Sequence, residues 1–401
     1  MIERPFYTNR LERLRGPGLV KVLTGMRRCG KSGVLRIFQR HLVASGVSQD
    51  SIVSVNLELP ENTQLKNPDE LDRHLRERQS PSGTTFVLID EAQEVPGIAR
   101  VAYALQETGT FDLYLTGSHA RLVQSELQDL MAGRYVEIPI FPLSFAEYHA
   151  CRKSMGSSES SRELLQRYLH DGGLPYTLRL ADDSYAMHDY LDGVYHTVVR
   201  RDVTSALGKE DPALLDAIAR ALMRDIGCPT SANAISRQLT KSGMPCSDDT
   251  TARYLSALRD AYAFHRVRRL DLKSQAELKT QERYYAGDLG LRMLMLGPSG
   301  TSLQGLLENV VYLELRRRHR EVHAGKHYGR SIDFVAQDEH GKHYYQVAPS
   351  VLDEQTLERK LAPLRTERDN YPKSLLTLDE IGLESHEGIL QHNLVEWLLA
   401  G

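Results

Sequence analysis

Cysteine and tryptophan are scarce in this chain: 401 residues hold four cysteines and one tryptophan. Cys29, Cys151, Cys228 and Cys246 show no CxxC pairing and no regular spacing. That argues against a disulfide framework or a zinc site and fits a reducing cytoplasm. No apolar run approaches the ~18 residues of a membrane span. The opening MIERPFYTNR also lacks the apolar stretch of a secretory signal, so the expectation is a cytoplasmic protein. A dominant charge sign is missing too, with 50 lysines and arginines against 53 aspartates and glutamates and a net charge of −3. Any nucleic-acid contact must therefore come from a local basic surface.

Domains average about 150 residues, so the length predicts two or three of them. From Leu19 to about Ile140, five short apolar runs read as strands: Leu19–Leu23, Ile52–Asn56, Phe86–Ile89, Leu113–Thr116 and Tyr135–Ile138. Helical patterns such as Val34–Val43 and Asp69–Arg78 lie between them. Strands alternating with helices predict an α/β fold with a covered parallel sheet. From Phe145 to about Leu207 the pattern is helical, broken by Gly172-Gly173-Leu174-Pro175 at a turn or helix start. Ser154–Ser161, the one low-complexity stretch, reads as a mobile surface loop, and the charged 208–212 segment as a hinge. No fixed-period repeat is present, which excludes a solenoid.

The segment GMRRCGKS, Gly25–Ser32, fits G-x-x-x-x-G-K-[ST] between a strand and a helix. Gly25 and Gly30 allow the tight turn, and the backbone N–H groups of Gly25, Met26, Arg27, Arg28, Cys29, Gly30, Lys31, Ser32 and Gly33 can face phosphate oxygens. Lys31 would neutralise the β- and γ-phosphates of ATP, and Ser32 would hold Mg²⁺ through its hydroxyl. Some 55 residues on, FVLIDEAQ ends a buried strand in two carboxylates, which is costly unless they meet a cation or solvent. Asp90 is the expected Mg²⁺-side ligand and Glu91 the base that polarises the attacking water. Taken alone, the same pattern would serve as an acidic helix cap. At the end of LYLTGSH, Ser118 is preferred over Thr116 for sensing the γ-phosphate or orienting water, against an ordinary strand-end turn.

These motifs, with AGRYVEIPIFPLSFAEY and GGLPY, resemble the AAA-type ATPases of the ASCE division that carry a C-terminal domain of unknown function (DUF4143-like). The resemblance covers nearly the whole chain. It implies a sheet in which the sensor strand lies between the two Walker strands, and a nuclease-like domain of the PD-(D/E)XK fold at the C-terminus. GGLPY is similar to the GLP element of signal-transducing ATPases, which makes Pro175 a base-contact candidate; a helix-start proline reads equally well. Arg134 is the candidate for an arginine reaching a neighbouring subunit's γ-phosphate, which implies a homo-oligomer. A solvated arginine would look the same. Arg200 and Arg201 form a second candidate pair.

The segmentation that follows is 1–143 as P-loop ATPase core, 144–211 as helical lid, 212–287 as winged helix-turn-helix and 288–401 as nuclease-like domain. Residues 212–286 hold twelve lysines and arginines against eight aspartates and glutamates, a local positive excess suited to DNA. Thr250, Thr251 and Arg253 are expected to face out from the third helix, although Asp248 and Asp249 there would repel phosphate. Arg266, Arg268, Arg269 and Lys273 on the wing are better backbone contacts, and a protein-binding winged helix is the alternative. In the C-terminal domain Glu308 and Asp333 fit two nuclease carboxylates, but Gln346-Val347-Ala348 replaces the third ligand and the lysine. The expectation is a nuclease-like fold without cleavage, unless Lys342 or Lys360 stands in for the lost lysine.

Overall fold

The computed structural model describes residues 2–81, 83–118, 130–207, 211–298, 302–327, 329–382 and 385–400. His119 of LYLTGSH and most of the 208–212 segment lie outside the described residues. The chain forms two compact units, Met1–Phe141 with Asp260–Tyr262, and Pro142–Arg259 with Ala263–Gly401.

In the first unit the order is α1 (Pro5–Arg13), β1 (Val20–Thr24), α2 (Lys31–Ala44), β2 (Ile52–Asn56), α3 (Pro68–Glu77), β3 (Thr85–Asp90), α4 (Ile98–Gln106), β4 (Phe111–Gly117) and β5 (Tyr135–Pro139). All strand pairs are parallel, in the order β2-β3-β4-β1-β5. The strand leading to Ser118 thus lies between the two Walker strands, as the resemblance implies. Every residue of β1, β3 and β4 is buried, as a parallel sheet covered on both faces requires. Val87, Ile89, Leu113 and Leu115 pack with Leu71, Leu75, Val101 and Leu105 of α3 and α4. On the alternate face, Tyr114 meets Phe38 of α2 at 4.8 Å. At the start of β1, the buried Lys21 pairs with the buried Asp112 and also donates to the carbonyls of Gly16 (2.6 Å) and Leu19 (2.9 Å). This buried charge pair is tolerable because its hydrogen-bonding groups are satisfied.

The second unit begins with α5 (Phe145–Ser154), α6 (Ser161–Asp171), α7 (Ser184–Tyr195), a π-helical stretch at His196–Asp202 and α8 (Val203–Leu207). Then come α9 (Pro212–Arg224), α10 (Ala232–Lys241), α11 (Asp248–Asp260), β6 (Phe264–Asp271), β7 (Ala276–Ala286), α12 (Leu289–Leu296), α13 (Leu303–Arg318), β8 (Glu321–His327), β9 (Arg330–Asp338), β10 (Gly341–Ala348), α14 (Glu354–Thr366), β11 (Lys373–Thr377), β12 (Ser385–His386), β13 (Ile389–Asn393) and α15 (Leu394–Leu399). The last eight strands make one mixed sheet, β12-β13-β11-β10-β9-β8-β6-β7. The three helices and hairpin expected over 212–286 are present. However, β6 also pairs in parallel with β8, so the hairpin is the margin of a larger sheet and not a free-standing wing.

One local expectation is refined and another corrected. The serine-rich stretch is the exposed loop expected, and its C-terminal end is held: Ser160 and Glu163 form a reciprocal capping box, and Glu159 bridges Arg152 (2.9 Å) and Arg167 (2.5 Å). Low complexity here reflects the need for a cap, since serine oxygens accept from first-turn N–H groups. Thr251 does not face out: it is buried, and its hydroxyl donates to the Ser247 carbonyl at 3.0 Å. The Gly172-Gly173 turn has a cause invisible in sequence. Asp288, itself buried, accepts from the N–H groups of Gly173 (2.7 Å) and Gly290 (2.8 Å). A Cβ on Gly172 (φ +77°) would lie 2.1 Å from Asp288 Oδ1, so glycine is required. Burial pushes the Asp288 carboxyl up to about 6.

Candidate functional site

The loop after β1 is shaped by contacts behind it. Gly25 has φ +146°, and a Cβ there would sit 2.2 Å from the Ile140 carbonyl oxygen, so only glycine fits. Cys29 is buried beneath the loop, its thiol 3.2 Å from the same carbonyl, and burial pushes that thiol up. Arg4, buried ahead of α1, donates to the carbonyls of Cys29 (3.3 Å) and Phe141 (3.0 Å). Tyr7 supplies the hydroxyl that accepts from Phe141 N–H at 3.1 Å. Arg4 and Tyr7 were missed in the sequence; MIERPFYTNR shows no pattern linking it to a loop some 20 residues on.

Helix α2 starts at Lys31 without a side-chain cap, so its first-turn N–H groups lack intrahelical partners, the arrangement that favours an anion. Arg28 holds a positive φ of 70° within the loop. Arg27 pairs with Glu58 at 2.6 Å, so its backbone rather than its side chain is the part offered to a ligand. The buried Lys31 ammonium donates to the carbonyls of Gly25 (3.0 Å) and Met26 (3.1 Å) and pairs with no carboxylate among the described residues. Ser32 is the second residue of α2, and Gly33 follows it.

The carboxylates ending β3 complement this. Asp90 is buried, and its Oδ1 accepts from Thr116 Oγ1 at 2.6 Å. The same Thr116 oxygen accepts from Glu91 N–H at 2.8 Å, which holds Glu91 in the left-handed region at φ 58°. Such a conformation costs a non-glycine residue of order 1–3 kcal/mol and recurs at functional sites. Glu91 Oε2 accepts from Ser118 Oγ at 3.2 Å and from Gln93 Nε2. Gln93 also reaches Ser118 at 3.2 Å, and its own Oε1 is buried without a partner. Ser118 therefore touches the glutamate, and Gln93 joins a cluster in which the sequence singled out only Glu91 and Ser118. The signal was there in the Q of DEAQ.

Among the described residues no cation pairs with Asp90 or Glu91. A buried carboxylate whose side chain meets only a hydroxyl offers oxygen donors of the kind that suit a hard divalent ion.

The remaining candidates lie apart from this cluster. The Arg134 carbonyl accepts from Val20 N–H at 2.9 Å, which puts it at the starting edge of β1 and β5, opposite the phosphate-loop edge. Its guanidinium pairs with Glu107 and lies 5.0 Å over the Tyr103 ring. Pro175 is half-buried in the turn after Gly172-Gly173. Arg200 pairs with Asp216 at 2.6 Å; the Arg201 side chain lies outside the described residues.

Of the tentative DNA contacts, Arg253 is exposed on α11 and Lys273 at the hairpin tip. Arg266 lies 3.5 Å from Glu282, Arg268 lies 2.6 Å from Glu277, and Arg269 bonds Gln281. Arg266 and Arg268 thus already meet carboxylates across the hairpin, whereas the Gln281 partner of Arg269 is neutral.

The second carboxylate cluster is differently built. Glu308 and Asp333 are both buried, and Arg283 Nη1 sits 3.6 Å and 3.7 Å from them. Lys360 donates to Asp333 at 2.9 Å, so it, and not Lys342, is the basic residue beside the strand carboxylate. Lys342 contacts Gln275 instead. Gln346 turns its amide nitrogen to the Ser331 carbonyl at 3.0 Å, and its Oε1 has no partner. No group of three or more metal-ligating side chains occurs among the described residues.

Comparisons with known proteins place these observations. Residues 18–149 match the AAA domain family, and residues 162–302 match a domain of unknown function, DUF8612. The second match carries a different designation from the DUF4143-like domain expected at the C-terminus, and it lies in the helical and hairpin region, ending at residue 302. An uncharacterized protein of Methanocaldococcus jannaschii is 27% identical over 392 residues, covering 92% of this chain and 84% of that protein. The Walker-type ATPase of Pyrococcus abyssi shares the fold, with a TM-score of 0.50 at 16% identity over 74% of this chain and 96% of that one. An uncharacterized protein of Haemophilus influenzae is 31% identical over 400 residues, covering 100% of this chain and 99% of that protein. The chain belongs to one family with that H. influenzae protein, and its residues 18–149 form an AAA-type ATPase domain.

Proposed function

We propose that the chain binds Mg²⁺-ATP at Gly25–Ser32 and hydrolyses it, and that it uses this cycle to act on DNA through its second unit. The observation that carries the ATPase reading is the Asp90–Glu91 pair. Both carboxylates are buried at the end of a parallel strand and meet only neutral partners among the described residues. Mg²⁺, held by Ser32 and Asp90, would offset phosphate charge. Glu91 accepts the proton of the attacking water, and Ser118 and Gln93 orient its carboxylate by hydrogen bonds. Lys31 and the α2 N-terminus hold the phosphates. Arg134, at the far sheet edge, cannot serve its own subunit's loop and acts, in this reading, on a neighbour in an oligomer.

The DNA part rests on the positive excess of 212–286 and its helices-plus-hairpin order, with Arg253 and Lys273 as exposed contacts. In the nuclease-like reading of the C-terminal region no cleavage is expected, because Gln346 and Ala348 replace the third ligand and the lysine, and Arg283 and Lys360 already stand beside Asp333. A nucleotide-gated switch with protein partners is the alternative. ATP turnover measured with and without duplex DNA, over a salt series, separates them. Stimulation that fades with salt supports DNA; turnover indifferent to DNA at low salt sinks that part and leaves the ATPase standing.

A further inference from the structure

The phosphate loop contains a peptide that glycine leaves free to turn. The orientation of the unit joining Cys29 to Gly30 is set by ψ of Cys29 and φ of Gly30, and glycine takes either sign of φ at little cost. Here φ of Gly30 is +109°. In a planar trans peptide the C=O and the N–H point in opposite directions. Turning this unit would therefore exchange an N–H for a carbonyl oxygen on the side that meets an anion. Phosphate binding needs one orientation. The glycine permits both.

Arg4 decides between them. It is 3% exposed, and a single nitrogen, Nη1, donates to the Cys29 carbonyl at 3.3 Å and to the Phe141 carbonyl at 3.0 Å. The Cys29 carbonyl thus faces the buried side. The Gly30 N–H faces the other way, where Gly30 is partly exposed and its N–H meets no acceptor among the described residues. Neighbouring carbonyls are drawn off too: Lys31 takes those of Gly25 (3.0 Å) and Met26 (3.1 Å), and Val34 N–H takes that of Gly30 (2.9 Å). Those donors belong to the loop or to the helix it starts. Arg4 comes from 25 residues away, ahead of α1. Its second acceptor is itself anchored, since Phe141 N–H donates to the Tyr7 hydroxyl at 3.1 Å.

We propose that Arg4 is a positioning residue of the nucleotide site: it holds the Cys29–Gly30 peptide so that the Gly30 N–H is presented to a phosphate of the bound nucleotide. Arg4 acts through Gly30 and does not touch the ligand. The inference rests on the ATP reading above and names the residue that keeps the loop in its binding form.

The test uses the full-length chain and a fluorescent ADP, mant-ADP, displaced by inorganic pyrophosphate, which carries phosphates without base or sugar. Arg4→Met keeps a long buried side chain and removes the donor. It should weaken mant-ADP and pyrophosphate by the same factor, about tenfold to a hundredfold, the worth of one hydrogen bond to a charged group. Arg4→Lys returns a cationic donor and should recover part of that loss. Tyr7→Phe controls for a purely structural effect: it removes the other support of Phe141, should lower the melting temperature, and should leave both affinities within about threefold of wild type. Should Arg4→Met melt below the assay temperature, Arg4→Lys carries the comparison, with a smaller loss of both ligands. Wild-type affinities in the Arg4 variants, or an equal loss in Tyr7→Phe, overturn the role while leaving the ATP reading intact. A loss for mant-ADP without one for pyrophosphate overturns it as well, because the N–H would then serve something other than phosphate. Wild-type protein that binds neither probe overturns the ATP reading and this role with it.

Discussion

The two units each bury a pair of carboxylates, and they treat them in opposite ways. Asp90 and Glu91 are given a threonine, a serine and a glutamine as partners. Glu308 and Asp333 are given Arg283 and Lys360. A buried carboxylate needs a counter-charge or must give up its own. Where the protein places cations there itself, as beside Asp333, less charge is left for a ligand to meet. Where it supplies only neutral hydrogen bonds, the charge is left for a ligand to meet. Motif spacing alone does not separate these cases, because it lists carboxylates and not what faces them.

The largest effects should come from the open cluster. Lys31→Ala should abolish detectable ATP binding in an equilibrium assay. Glu91→Gln should retain ATP but lower turnover by about 10²–10⁴-fold, since the general base is gone while the phosphate contacts remain. Wild-type turnover in Glu91→Gln would remove the assigned base and with it the contrast between the clusters.

The closed cluster should respond in stability. Arg283→Met leaves two buried carboxylates sharing one lysine, and breaking such an arrangement costs about 3–5 kcal/mol, read by urea unfolding. The pH dependence has a definite sign. Burial, reinforced by Asp333, pushes the Glu308 carboxyl up to about 7, above its unfolded value of about 4.3. The folded state therefore binds the extra proton, and the stability linked to Glu308 is full below the unfolded value and is lost as pH rises through about 7. Glu308→Gln should flatten that loss between roughly pH 4.5 and 8 relative to wild type. Parallel curves for the two proteins would show that Glu308 is ionised throughout, as a metal ligand would be.

What the sequence disclosed follows the same line. The five strands of the first sheet were legible because each is short, apolar and flanked by turn residues. The phosphate loop was legible because its chemistry is local: a glycine that must avoid the Ile140 carbonyl, then a lysine at a helix start. The partners that decide what each cluster does are distant in the chain. Arg4 supports the loop from 25 residues away, and Arg283 reaches Asp333 across 50 residues. The margin of the second sheet was illegible for a related reason. β8 reads EVHAGKH, half polar and with a glycine, and becomes a strand through its pairing with β9 and β6.

A smaller change probes how the open cluster is held. Thr116→Val keeps shape and removes the hydroxyl that bonds both Asp90 and Glu91. The buried partners lose about 1–3 kcal/mol of stabilisation, and Glu91 loses the bond that holds its left-handed backbone. Turnover should fall by more than ATP affinity does, measured as a split between kcat and Kd. Equal losses in both would mean that Thr116 only supports the fold.

Arg134→Ala should leave the isolated subunit nearly untouched and so separates what one chain contains from what two chains build. The guanidinium is exposed, pairs with Glu107 on the surface and rests over Tyr103. Surface pairs of this sort contribute little, so the melting temperature should stay within error of wild type. Its position at the starting edge of β1 excludes contact with its own phosphate loop, which lies at the other end of the same strand. A fall in turnover with an unchanged melting temperature therefore points to a second subunit. In that case wild-type specific activity should rise with protein concentration, and mixing Arg134→Ala with Glu91→Gln subunits should restore part of it at shared interfaces. Concentration-independent turnover, equal in wild type and Arg134→Ala, would reduce Arg134 to a solvated surface residue. The catalytic groups of the ATPase would then all lie within one first unit.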